Sequence, residues 1–191
     1  MLQLDYTILL ASNSPRRQEL LAGLDIDFSV FVKKGIDESY PQDMEASKVA
    51  EFLAKQKAKA YQKDLIEGVL IITADTLVIQ DQHILGKPAN KAEAIAMIKS
   101  LSGQSHQVIT GVSLSTKEKQ HSFSSRTEVI FASMSDEEIA YYVEKYQPYD
   151  KAGAYGIQEW IGYIAVEKIE GSYFNVMGLP VQQLYQELKN F

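Results

Sequence analysis

An α/β chain built on a mixed sheet is what this sequence predicts, and three observations carry the prediction. Short apolar runs of strand length alternate with segments whose apolar residues recur at helical spacing, without an internal repeat, a low-complexity stretch or an evident linker. A turn at Asp81-Gln82 joins two strand runs as a hairpin. Two further runs, 107–115 and 122–131, follow one another directly, and in the second Thr127, Val129 and Phe131 alternate against polar neighbours. Hairpins of this kind argue against an all-parallel sheet. Residues 1–191 read as one domain.

The elements follow in order. Ile8-Leu9-Leu10-Ala11 has the length and composition of a buried strand. Ser14 before Pro15 is the N-cap and first-turn pairing of a helix carrying Leu20, Leu21 and Leu24. Phe28-Ser-Val-Phe-Val32 is a strand, and 35–38 leads into a loop closed by Pro41. Val49, Phe52, Leu53, Gln56 and Ala60 mark one face of the next helix, with Lys48, Lys55 and Lys59 on an adjoining stripe. Val69-Leu-Ile-Ile72 is a second buried strand, which the pattern interrupts at 73–76 and resumes at Leu77-Val-Ile79. Beyond the hairpin, Asn90 with Glu93 forms a capping box for a helix that Gly103 ends. A second capping box, Ser135 with Glu138, opens a helix that buries Ile139, Tyr142, Val143 and Tyr146 before Pro148 stops it. The segment 150–158 is too rich in glycine for a regular element, 161–169 reads as a strand, and Val181, Leu184, Tyr185 and Leu188 line a last helix from Pro180.

Composition narrows the function. Without cysteine there is no disulfide framework, no thiolate nucleophile and no cysteine-held metal, which fits a cytoplasmic protein. Met1-Leu2-Gln3-Leu4-Asp5 lacks the basic region of a leader, and no stretch reaches the length of a membrane span, so neither export nor membrane insertion is expected. A net charge of −6 argues against sequence-independent nucleic-acid binding. The three histidines show no i, i+4 pair, and no Walker loop or dinucleotide fingerprint is present.

The chemistry-bearing residues start at Ser12-Asn-Ser-Pro-Arg-Arg17, where a strand hands over to a helix. Free N–H groups, the positive end of the helix dipole and two guanidinium forks point there at one spot, which suits phosphate. Cations in a first helical turn are otherwise disfavoured, the alternative being two ordinary solvated arginines. Asp75 lies in an otherwise apolar run and needs compensation. Holding a divalent cation or taking a proton from water explains its placement, and so does a strand-end aspartate bonded to backbone. Glu38 after Asp37 suits a metal ligand or a solvated turn, and Lys87 between Gly86 and Pro88 a phosphate contact or an exposed turn lysine. Asp150-Lys151 and the glycines after it allow close approach to a flat ligand, and the Gln158 amide can read a base edge; a structural turn explains the same residues.

Taken together, Leu10-Ala-Ser-Asn-Ser-Pro-Arg-Arg17 with Glu19-Leu-Leu21, Ala74-Asp-Thr76, Leu85-Gly-Lys-Pro88, His106-Gln-Val-Ile-Thr-Gly111, Asp150-Lys-Ala-Gly-Ala-Tyr-Gly-Ile-Gln158, and Gly171-Ser-Tyr with Gly178-Leu-Pro180 resemble the Maf family of nucleoside triphosphate pyrophosphatases nearly end to end. The segment 150–158 resembles the branch acting on thymidine and uridine triphosphates. The resemblance implies a house-cleaning hydrolase that releases diphosphate with magnesium or manganese. It also implies an elongated mixed sheet flanked by helices, in two lobes around one central cleft, similar to the inosine triphosphate pyrophosphatases. By the same resemblance Asp75 activates water, Glu38 and Asp75 hold the metal, and Ser12, Arg17, Lys55, Lys87 and Lys151 surround the phosphates. Arg16, Thr76 and Gln158 match positions that set the nucleotide branch. Glu159-Trp160 departs from the family pattern, which more often has glycine, and implies a bulkier rim at the base. A homodimer and a link to septum formation come with the resemblance alone. Two alternatives stay open: a pyrophosphatase for ITP, methylated GTP or another nucleotide, and a non-catalytic regulator of cell division.

Overall fold

The structure, a computed structural model, describes residues 4–191; of the N-terminal reading, Met1-Leu2-Gln3 lies outside the described residues. Seven strands form one mixed sheet in the order β2-β1-β3-β5-β6-β7, with β4 paired to β3. The chain divides into two compact units. The first holds the described residues up to Asp75, with Thr110–Ser125 and Gly178–Phe191; the second holds Thr76–Ile109 and Arg126–Met177.

In the first unit, β1 (Thr7–Leu10) runs parallel to both β2 (Phe28–Val30) and β3 (Val69–Gln80), with Leu10 opposite Ile72. Helix α1 (Pro15–Ala22) begins as expected, Ser14 Oγ accepting from the Arg17 N–H, and buries Leu20 and Leu21. Strand β2 stops at Val30, two residues short of the expected end. Helix α2 (Ala46–Tyr61) buries Val49 and Leu53 as expected, but the rest of its face is rotated from the expected one. Val49, Ala50, Leu53, Ala54, Ala58 and Tyr61 are buried, whereas Phe52, Gln56 and Ala60 lie at its margin. The small residues permit close approach to β5 (Ser105–Ser115), where a Cβ on Gly111 would stand 2.3 Å from the Ala50 backbone. Helix α7 (Val181–Asn190) buries Val181, Leu184 and Leu188.

Strand β3 is continuous through 73–76, which corrects the expected interruption. Its polar residues find partners across the layer: Thr73 Oγ1 donates to the Ala54 carbonyl of α2 at 2.7 Å, and Asp75 meets Lys57. A strand advances two residues per repeat on one face and a helix about three or four, so 73 and 75 on β3 match 54 and 57 on α2.

In the second unit, β3 turns through Asp81 and Gln82, both at positive φ, into β4 (His83–Leu85), as expected of a two-residue hairpin. Helix α3 (Lys91–Leu101) is capped by Asn90, but the Glu93 carboxylate reaches back to the Ala89 N–H, one residue before the N-cap, so the box is not closed as expected. Helix α4 (Asp136–Tyr146) has both bonds of its capping box. Strand β6 (Gln120–Phe131) neighbours β5 as expected, and its end pairs antiparallel with β7 (Val166–Glu170).

The expected strand 161–169 is half wrong, because α5 (Trp160–Ala165) precedes β7. Ile161 and Ala165 are buried at i, i+4 spacing, and a Cβ at Gly162 would collide with the Ile157 carbonyl at 1.8 Å, so the glycine seats this turn. The short helix α6 (Tyr173–Met177) follows, and its Asn175 Nδ2 donates to the Val108 carbonyl and Thr127 Oγ1. No helix among the described residues is long and apolar enough to cross a membrane.

Candidate active site

Asp75 and Glu38 converge on one ammonium. Lys57 Nζ pairs with Glu38 Oε1 at 2.8 Å and closely with Asp75 Oδ1. Asp75 comes from β3 and Lys57 from the facing side of α2, while Glu38 arrives on a loop whose course is fixed at several points. Phe31 packs its ring on Tyr61, the Lys33 N–H donates to the Tyr61 hydroxyl at 2.8 Å, and Ile36 packs on the Tyr61, Leu65 and Ile71 cluster. Asp37 then accepts from both the backbone N–H and the hydroxyl of Ser39, closing a tight turn around Glu38. Those two bonds hold the Asp37 carboxyl below its ordinary value.

Lys57, not Lys55, is the lysine of this cluster. Lys55 is exposed and pairs with Glu51 at 2.5 Å along the helix surface. The sequence did carry a signal for Lys57, since it stands three residues after Ala54 and four before Tyr61, on the small-residue face that packs.

Arg17, expected at the phosphates, turns two of its donors to backbone carbonyls. Its Nε donates to the Gly178 carbonyl at 2.8 Å and an NH1 to the Ala74 carbonyl at 3.0 Å, beside Asp75. Turning toward carbonyl oxygens relieves the conflict between a cation and the positive end of α1. Burial pushes the guanidinium down from its ordinary value, and the Asp75 carboxylate opposes that shift. Buried Ser12 shapes the turn, its Oγ accepting from the Ser14 N–H at 3.2 Å. Arg16 is half-buried in the same first helical turn.

Thr76, Lys87, Lys151 and Gln158 belong to the second unit. Exposed Lys87 follows Gly86, whose carbonyl accepts from the Gly153 N–H at 3.1 Å, so its turn is tied to the Lys151 segment. There Gly153 and Ala154 both take positive φ in a tight 3₁₀ turn, Ala152–Ala154, the second at a strain cost for a residue with a Cβ. Lys151 is buried and pairs with Asp150 at 2.7 Å and Glu159 at 3.1 Å. Glu159 also accepts from the Tyr142 hydroxyl, which itself accepts from the Gly156 N–H at 3.0 Å. Burial, then the Glu159 bond, pushes the Tyr142 phenol far up, so it stays a donor. The expected bulky rim at Glu159 is therefore turned inward onto Lys151, while Gln158 beside it is exposed.

Glu38 and Asp75 fit a small divalent cation: two carboxylates already gather around one positive charge, and such an ion takes one or two protein carboxylates plus water and phosphate oxygens. Among the described residues no three of His, Cys, Asp and Glu form a self-contained metal cage.

Comparison with known proteins identifies the family. A protein of Parabacteroides distasonis named dTTP/UTP pyrophosphatase is 58% identical, over 97% of this chain and 96% of its own. One of Bacteroides thetaiotaomicron with the same name is 55% identical, over 96% of this chain and 95% of its own. The solved structure of the Staphylococcus aureus Ham1 protein has a TM-score of 0.49 and 15% identity, over 66% of this chain and 72% of its own. The family profile described as Maf-like protein matches residues 7–191, a span that includes Arg16, Glu38, Lys57, Asp75, Lys151 and Gln158, and the chain belongs to the Maf family.

Proposed function

We propose that this chain hydrolyses dTTP and UTP to the nucleoside monophosphate and diphosphate, clearing these nucleotides from the pool. One observation carries the reading: the Asp75 carboxylate, set in the sheet, shares a single ammonium with Glu38. Relatives at 58% and 55% identity bear that activity in their names, which supports the substrate class.

Asp75 takes a proton from a water whose oxygen attacks the α-phosphorus. As that bond forms, the bond from the α-phosphorus to the bridging oxygen breaks, and its electron pair leaves with the diphosphate. Arg16, Lys57, Lys87 and Lys151 neutralise the phosphate oxygens, and Arg17 fixes the Ala74-Asp75 backbone. Glu38 and Asp75 would hold magnesium or manganese, which adds charge neutralisation on the triphosphate when bound. Arg16, Thr76 and the exposed Gln158 amide select the nucleotide, the amide offering both donor and acceptor to a pyrimidine edge.

A panel of dTTP, UTP, ITP and methylated GTP, assayed for diphosphate with magnesium and again with EDTA, tests the proposal. Release from dTTP and UTP that EDTA abolishes is expected. Preference for ITP or methylated GTP, or binding without release from any of them, would overturn it.

A further inference from the structure

Glu159 stands at the end of the segment that begins with Lys151, and the two side chains close that segment into a ring. Their charged ends meet at 3.1 Å, and the Glu159 N–H donates to the Gly156 carbonyl at 2.9 Å. Gly156 lies beneath the pair: a Cβ there would come 2.9 Å from the Glu159 carboxyl carbon and 3.1 Å from Lys151 Cε. Tyr142, from α4, bonds both Glu159 and the Gly156 N–H, so a rigid helix anchors the ring. Gln158 is carried by this ring and points outward, exposed. A carboxamide is nearly symmetric in shape and can offer either its donor or its acceptor end, so it discriminates a uracil edge from a cytosine edge only where its backbone is held in place.

From this geometry we infer that Glu159 is a positioning residue for nucleotide selection: with Tyr142 it clasps Lys151 and holds the turn that presents Gln158. The inference rests on the proposed reading of Gln158 at the base. It extends that reading to two residues that make no contact with the base themselves.

The test uses the full chain and the variants Glu159→Ala, Glu159→Gln and Tyr142→Phe. kcat and KM are measured for UTP and CTP, and acrylamide quenching is measured for Trp160, the single tryptophan, whose ring meets Tyr141 at 4.9 Å. Glu159→Ala lowers the UTP-to-CTP ratio of kcat/KM by about tenfold, mostly through KM for UTP, as losing one hydrogen-bond acceptor at the clasp implies. Its Trp160 quenches about twice as readily as the closed turn loosens. Glu159→Gln, which keeps an acceptor for Tyr142 and Lys151, recovers most of both effects. Tyr142→Phe falls between and stands in should Glu159→Ala fail to fold.

An unchanged ratio and unchanged quenching in Glu159→Ala would overturn the inference. So would a Gln variant as impaired as Ala, since charge and not closure would then be at work. Failure of the wild type to hydrolyse any nucleotide would instead refute the proposed function, and Trp160 quenching alone would then decide whether the clasp closes the turn.

Discussion

Replacing Lys57 with Met removes the ammonium that pairs with both Asp75 and Glu38, and the cost can be worked from their surroundings. The Lys57 and Asp75 side chains are 15% and 14% exposed, so the carboxylate left behind is largely cut off from water. Stranding one member of such a pair costs about 3 kcal/mol. Glu38 is 59% exposed, and water screens its half of the interaction to below about 1 kcal/mol. For a chain of 191 residues each kcal/mol moves the thermal midpoint by about 2–4 °C, so calorimetry should find Lys57→Met lower by roughly 9 °C. The double variant Lys57→Met/Asp75→Asn leaves no uncompensated charge on the strand and should regain at least about 1.5 kcal/mol over the sum of the single changes. Losses that add within about 0.5 kcal/mol would refute the claim that these two residues neutralise each other.

Other expectations follow from the same structure. Asp75→Asn should lower turnover by at least about a hundredfold while nucleotide binding by titration calorimetry is kept, as for loss of a general base. Gly111→Ala should destabilise the chain by about 3 kcal/mol in urea unfolding, because the added methyl meets Ala50 backbone that has no room to move. Burial holds the His106 imidazole down at about 4 from its ordinary 6.5, with Nε2 on the Tyr155 hydroxyl at 2.8 Å. Its contribution is therefore complete above pH 6.5 and is lost as pH falls toward 4, where the unfolded chain binds a proton that the folded chain does not. Over that window unfolding free energy should fall by about 3 kcal/mol more in the wild type than in His106→Gln.

Local features of this fold were legible in the sequence, because their partners lie within a few residues. Ser14 caps α1 and Ser135 with Glu138 closes its box, since each bond spans three residues. What local pattern could not show were groups satisfied from a distance. Thr73 and Asp75 look like a break in an apolar run until Ala54 and Lys57 arrive from α2. The same blindness hid Lys57: Phe52 drew the helix face toward itself, while the face that packs adds Ala50, Ala54 and Ala58, whose hydrophobic signal is weak, to Val49 and Leu53. Ile161 to Ala165 carries strand-like residues, and only the seat of Gly162 on the Ile157 carbonyl makes the turn helical. For the site, the family resemblance and not the local pattern put Glu38 beside Asp75, and nothing near Arg17 in the sequence announces its carbonyl partners, Ala74 and Gly178, which lie far along the chain.

Hydrolysis of UTP in ¹⁸O-water tests the account most directly, because it reports which phosphorus the activated water attacks. With Asp75 as the base at the α-phosphorus, the label appears in UMP and the released diphosphate is unlabelled. Label in the diphosphate, or unlabelled UMP from an active enzyme, would contradict the mechanism.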